Sequence, residues 1–134
     1  MKILLDTHIL LWALSDEPLL NASMVYYLED SDNTCYYSTA SLWEVAIKHR
    51  SHRDSFPLTA QRLFNICDIS EYFRLDIKPE HIIMTDTLSY PDDLKPHKDP
   101  FDRLLLAQAK AEGMRLMTCD EKLAAYGEKC VLLV

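Results

Sequence analysis

Glycine is almost absent from this chain: of 134 residues, only Gly113 and Gly127 are glycine. Loops that cradle phosphate with backbone N–H groups, GxGxxG and GxxxxGK[ST], need clustered glycines, so both are excluded. Cysteine is present but unpatterned. Cys35, Cys67, Cys119 and Cys130 form no CxxC and no Cys/His pairing, which points to reduced, mostly buried thiols in a cytosolic protein. Long apolar runs are missing too, and nothing approaches the ~18 residues of a membrane span. The apolar N-terminus is broken by Asp6 and His8 and lacks the cleavage site of a signal peptide. A cytoplasmic protein is expected.

Basic charge is in deficit, with 14 Lys and Arg against 21 Asp and Glu and a net charge of −7. That argues against salt-driven binding of nucleic acid through a broad basic surface. It leaves room for a nucleic-acid enzyme whose acidic site is neutralised by metal ions. The remaining composition, 49% apolar and 26% charged, is that of an ordinary globule. The length predicts one domain spanning residues 1–134.

The stretch Lys2–Trp12, KILLDTHILLW, organises the rest. Ile3–Leu5 reads as a strand buried on both faces, ending abruptly at Asp6, with a helix beginning at once. Asn21 caps a second helix that runs to about Glu29, and Thr34–Ser38 (TCYYS) is a second strand. The helix SLWEVAIKHR follows, with Leu42, Val45, Ala46 and Ile47 as its inner face. A fourth helix opens at Thr59 or Ala60. Tyr72–Ile77 reads as a third strand and Glu80–Leu88 as a short helix with Pro79 in its first turn.

Ser89–Lys98, with two prolines and four charges, is a surface loop. In DPFDRLLLAQAKAEG, Asp99 suits the N-cap, Pro100 the first helical position and Gly113 the C-terminal stop. Strand Arg115–Thr118, helix Asp120–Tyr126 and strand Cys130–Val134 complete the chain. Strands alternating with helices, without a hairpin signal, predict an α/β fold: a parallel sheet covered by helices on both faces.

In such a sheet, strand C-termini and the following helix N-termini share one edge, where ligands bind. Asp6, Glu44, Asp102 and Asp120 all fall at that edge. Each has a plainer reading. Glu44 fits a capping box with Ser41, Asp99 is a simple N-cap, Asp102 suits the third position of the same cap, and Asp120 can cap the last helix. Only Asp6 lacks a structural excuse. Four carboxylates in one pocket repel one another unless cations neutralise them. Without a His or Cys at metal-site spacing, oxygen ligands point to Mg²⁺ or Mn²⁺ rather than Zn²⁺. Such a site suits displacement at phosphorus by activated water.

The segments LLDTHILLW, STASLWEVAIK, HKDPFDRLLLAQAKAEG and MTCDEKLAAYG resemble the PIN-domain family. They are most similar to its VapC-type members, the toxins of bacterial type II toxin–antitoxin pairs. Residues 50–90 match least. The resemblance implies a three-layer α/β/α sandwich with a parallel sheet and Mg²⁺-dependent ribonuclease activity that leaves a 5′-phosphate and a 3′-hydroxyl. It implies Asp6, Glu44, Asp102 and Asp120 as catalytic and metal-binding acids, Asp99 as a frequent further acid, and Thr118 as the hydroxyl near the last acid. It also implies a cognate antitoxin and a homodimer.

Candidate RNA contacts are Lys48, His49, Arg50, His52 and Arg53 after Glu44, and His97, Lys98 and Arg103 around Asp99 and Asp102. The plainer reading of both groups is a solvated helix end. His8 either contacts a phosphate or is satisfied locally. Trp12, Tyr26 and Tyr27 are either core or a surface for the antitoxin or a second copy. A covalent phosphoryl-transfer enzyme using Asp6 is the first rival, but His8 stands where a haloacid-dehalogenase-like pattern needs a second Asp. A PIN-like scaffold that binds RNA or protein without cleaving it is the second.

Overall fold

The computed structural model describes residues 1–15 and 18–134; the polar break that Ser15-Asp16-Glu17-Pro18 makes in the sequence lies partly outside them. The elements are β1 (Lys2–Leu5), α1 (Thr7–Leu14), α2 (Ala22–Glu29), β2 (Thr34–Ser38), α3 (Thr39–Ser51), α4 (Ala60–Ile69), β3 (Phe73–Leu75), α5 (Pro79–Met84), α6 (Pro100–Glu112), β4 (Arg115–Thr118), α7 (Glu121–Ala124) and β5 (Val131–Leu133). A 3-10 turn, Thr85–Thr87, extends α5.

All five strands are parallel, in the order β3-β2-β1-β4-β5. The chain winds outward from β1 to β3, then returns to place β4 on the other side of β1. This makes β1 and β4 the topological switch point, where the loops leaving the sheet diverge and open a crevice. β1 is central because its apolar side chains serve both faces. Ile3 and Leu5 join Ile9, Leu10, Met24, Leu63 and Cys67 in one core, against α1, α2 and α4. Leu4 joins Leu105, Leu106, Leu116 and Leu123 in the other, against α6 and α7. The result is the expected three-layer α/β/α sandwich.

α6 is the most deeply set helix. Every residue from Leu104 to Ala109 is buried, including Gln108, so the helix needs an internal polar partner. Ser38 Oγ donates to Gln108 Oε1, and Gln108 Nε2 lies 3.2 Å from His81 Nδ1. His81 Nε2 in turn lies 2.7 Å from Glu112 Oε1. This chain ties the end of β2 and the start of α5 to α6, and holds α6 in register against the sheet. At the far end of α6, Gly113 adopts φ +66°, the left-handed stop its position predicts.

Several boundaries differ from expectation. α3 starts at Thr39 with Ser38 as its N-cap, because the Ser38 hydroxyl accepts from Ala40 N. Ser41 is therefore inside the helix, its hydroxyl 2.9 Å from that of Thr7, and the Ser41–Glu44 capping box does not form. Glu44 sits in the second turn rather than the first. Ala46 and Ile47 are exposed; the buried face of α3 is Ala40, Ser41, Glu44 and Val45. β3 is only Phe73–Leu75, and α5 gives way to the 3-10 turn after Met84. Cys119 is exposed and Cys130 half-buried, so only Cys35 and Cys67 fit the buried-thiol reading; all four are free.

Candidate metal centre and nucleic-acid cleft

Asp6 occupies the N-cap position of α1 but makes no side-chain capping bond. Its backbone N–H extends the β1–β4 ladder to Met117 O at 3.0 Å, which fixes the residue at the sheet edge. Thr118, buried at the end of β4, donates its hydroxyl to Asp6 Oδ2 at 2.6 Å. The same hydroxyl accepts from Asp120 N at 3.0 Å. Thr118 thus couples the two strand exits at the switch point, and Asp6 is held for something other than capping.

Asp120 and Asp99 each do two jobs. Asp120 Oδ1 caps α7 through Lys122 N. Asp99 Oδ1 caps α6 through Phe101 N and Asp102 N, while its Oδ2 accepts from Lys48 Nζ at 3.2 Å. The cap reading of both is therefore right and incomplete. Asp102 does not reach back to the cap; its Oδ2 lies 3.1 Å from His97 Nε2. Glu44, 2% exposed, pairs through Oε2 with Lys48 at 2.5 Å. Its Oε1 is buried with no hydrogen-bond partner among the described residues.

These acids meet in one open cleft of about 800 Å³, lined by Asp6, Glu44, Asp99, Asp102 and Asp120. Lysines 48, 95, 98 and 122 also line it, so the cleft has cations on its walls although the protein is acidic. Of the candidate RNA contacts, Lys48, His97 and Lys98 face the cleft. Arg103 is turned elsewhere, toward the Tyr126 hydroxyl and Thr85 O. His49 bonds Phe56 O and His52 pairs with Ser51. His8 lines the cleft between the rings of Trp12 and Phe56. Trp12 and Tyr27 pack partly on the core, while Tyr26 is exposed.

The electrostatics are those of a crowded acidic cleft. Burial pushes the Asp102 carboxyl up to about 8, helped by the charges of Asp6, Asp99, Glu44 and Asp120. Burial also raises Asp6 above the usual carboxylate range, against the pull of the Thr118 hydroxyl and His8. Burial opposes the charge on Lys48, but its contacts with Glu44 and Asp99 outweigh this and raise it. Asp99 is lowered: burial works against its charge, and the Asp102 N–H and Lys48 overcome it. Glu44 Oε1 is buried without a hydrogen-bond partner among the described residues, and the neighbouring Asp102 carboxyl is driven to about 8, as expected where acids crowd together without enough counter-charge. The carboxylate oxygens suit a hard divalent cation, and the His97 imidazole stands beside them.

Sequence reasoning passed over Tyr126, Lys95 and Lys122, and placed His97 only in a basic cluster. His97, Asp102 and Asp120 bring potential ligand atoms within 4.8 Å of one another. Tyr126 carried no local signal, since its hydroxyl reaches His97 Nδ1 (2.7 Å) from a different part of the chain. Lys95 stood in a Pro-rich loop that looked like plain solvent-exposed surface.

Comparison with known proteins agrees with this geometry. No curated protein matches the sequence. Among solved structures, VapBC2 of Rickettsia felis bound to a promoter DNA fragment superposes with a TM-score of 0.68 at 20% identity, covering 100% of this chain and 98% of that one. A toxin–antitoxin complex of Klebsiella pneumoniae gives 0.60 at 21%, covering 97% and 95%. FitAcB of Neisseria gonorrhoeae gives 0.64 at 18%, covering 98% and 95%. At these identities the likeness is one of fold. The family model described as PIN domain matches residues 3–129, nearly the whole chain, and the protein belongs to the PIN-domain family.

Proposed function

We propose that this protein is a metal-dependent endoribonuclease and the toxin of a type II toxin–antitoxin pair. The observation that carries the reading is the convergence of Asp6, Glu44, Asp102 and Asp120, with Asp99, on one cleft at the sheet's switch point. Glu44, with its free buried Oε1, and Asp6, Asp102 and Asp120 would hold Mg²⁺, or Mn²⁺ in its place, with Asp99 at the margin. The ion supplies Lewis-acid activation of water and offsets charge building on the phosphate.

The chain's own residues do the rest. Thr118 orients Asp6, and His97 orients Asp102. Lys48 and Lys98 line the cleft, where their ammonium groups can take the phosphates of an RNA strand. Arg103 supports the wall through Tyr126 and is a substrate contact only if its side chain turns into the cleft. A carboxylate of the set takes the proton of the attacking water. Few cations on the remaining surface are required, because the phosphate contacts needed are local to the cleft.

The antitoxin partner, homodimerisation and a cytoplasmic setting belong to the same proposal. The antitoxin draws support from the toxin–antitoxin complex among the fold neighbours; homodimerisation and a cytoplasmic setting rest on the resemblance to VapC-type proteins. The test is cleavage of single-stranded RNA with and without Mg²⁺, by wild type and by Asp6→Ala and Asp102→Ala variants shown to be folded. Cleavage that needs Mg²⁺ and both acids is expected. Full activity of both variants would sink the assignment.

A further inference from the structure

The cleft contains an imidazole that ought to disturb an all-oxygen site. His97 is nearly buried, its side chain 5% exposed, and Nε2 lies 3.1 Å from Asp102 Oδ2. With Asp102 and Asp120 it forms the one group of three potential metal-ligating side chains found close together among the described residues. Left free, a neutral imidazole there would be an excellent ligand for a borderline ion such as Ni²⁺ or Zn²⁺. What His97 does depends on which nitrogen carries its proton.

The surrounding hydrogen bonds decide that. Arg103 Nη1 lies 3.3 Å from the Tyr126 hydroxyl oxygen, and a guanidinium can only donate. The phenol hydrogen then needs an acceptor, and His97 Nδ1 stands 2.7 Å away. Nδ1 therefore accepts and Nε2 carries the proton, which is donated to Asp102 Oδ2. The opposite polarity would have both Arg103 and His97 donating to the phenol oxygen and leave the phenol hydrogen without a partner. It would also require Asp102 to donate, which an ionised carboxylate, whether free or cation-bound, cannot do. Tyr126 is 7% exposed and wedged edge-on against Tyr90 and His97. Burial raises its hydroxyl above the ordinary range, so it stays a donor at neutral pH.

We propose that Tyr126 sets the metal preference of this site: by occupying Nδ1 of His97 and keeping Nε2 protonated, it removes the cleft's nearest imidazole from the ligand set. His97 becomes a positioning residue for Asp102, and the site stays oxygen-only and suited to Mg²⁺ or Mn²⁺. This rests on the reading that the cleft holds a divalent ion. The usual arrangement in metalloproteins has a carboxylate orienting a ligating histidine; here the roles are exchanged, with the histidine orienting a ligating carboxylate.

The test has two readouts, neither of them turnover. Nitrogen-15 NMR of metal-free wild type at about pH 9, where the Asp102 carboxyl is ionised, should show His97 as the Nε2–H tautomer. Titration calorimetry with Mg²⁺ and Ni²⁺ should show Tyr126→Phe raising the preference for Ni²⁺ over Mg²⁺ by about tenfold. His97→Gln, whose side-chain amide can still donate to Asp102, should weaken Mg²⁺ binding less than His97→Ala, which leaves Asp102 without that donor. The double variant Tyr126→Phe/His97→Gln should lose the Ni²⁺ gain, which separates His97 from the exposed Cys119 thiol that also lines the cleft. An Nδ1–H tautomer in the wild type, or an unchanged preference in Tyr126→Phe, overturns the proposal. Failure of wild type to bind any divalent ion overturns the nuclease reading instead, while the tautomer still tests the relay.

Discussion

Asp102→Asn should stabilise the metal-free protein, and the gain should depend on pH in a defined direction. The Asp102 carboxyl moves from an ordinary 3.8 to about 8 in the fold, through burial first and then four neighbouring acids. Between those values the folded protein keeps a proton that the unfolded chain has released. Stability therefore falls as pH rises through that window, and the loss is complete above the folded value. At about 1.4 kcal/mol per tenfold change in proton affinity, the ceiling is roughly 6 kcal/mol. Rearrangement of the open cleft wall, where the Asp102 side chain is 16% exposed, brings the expected gain to about 2–3 kcal/mol near pH 8.5. Asparagine keeps the size of the side chain and an oxygen that accepts from His97. The assay is urea unfolding of chelator-treated wild type and variant at several pH values. The gap should widen from about pH 5 to about pH 8.5, and Mg²⁺ should close it by stabilising the wild type. A variant less stable than wild type at the higher pH, or a gap that ignores pH, would refute the reasoning.

Lys48→Met should destabilise the metal-free protein by roughly 3 kcal/mol in chemical unfolding, because it leaves the buried Glu44 carboxylate without its cation. Glu44→Gln added to it should recover most of that loss in a double-mutant cycle. Thr118→Val should cost about 1–3 kcal/mol and shift its thermal midpoint accordingly, since Asp6 loses its one side-chain donor and Asp120 N its acceptor. Gly113→Ala should cost about 1 kcal/mol in the same measurement despite open space around it, because only the φ of +66° opposes a side chain there.

The sheet and its edge were legible in the sequence for a simple reason. Ile3–Leu5 and Leu116–Met117 are apolar on both faces, the pattern of a covered parallel strand, and their shortness sets them apart from a buried helix. Asp6 and Thr118 end those runs, so their place at the edge follows from the strands themselves. What was not legible came from tertiary contacts. Ser38, not Ser41, caps α3, because the strand runs straight into the helix and Ser41 is needed inside to meet Thr7. That shift of three residues moves Glu44 from a cap to a buried carboxylate. Likewise the inner face of α3 is half polar, with Ser41 and Glu44 beside Ala40 and Val45, which apolar periodicity misreads by assigning Ala46 and Ile47 inward. Tyr126 and His97 are partners across 29 positions, and no local pattern announces such a pair.

Crystals grown with Mn²⁺ and measured for its anomalous signal would test the convergence of the carboxylates most directly. The account predicts a peak in the cleft, ligated by oxygens of Asp6, Glu44, Asp102 or Asp120 and absent from Asp6→Asn crystals. No peak in the wild type, or a peak liganded elsewhere on the molecule, would contradict it.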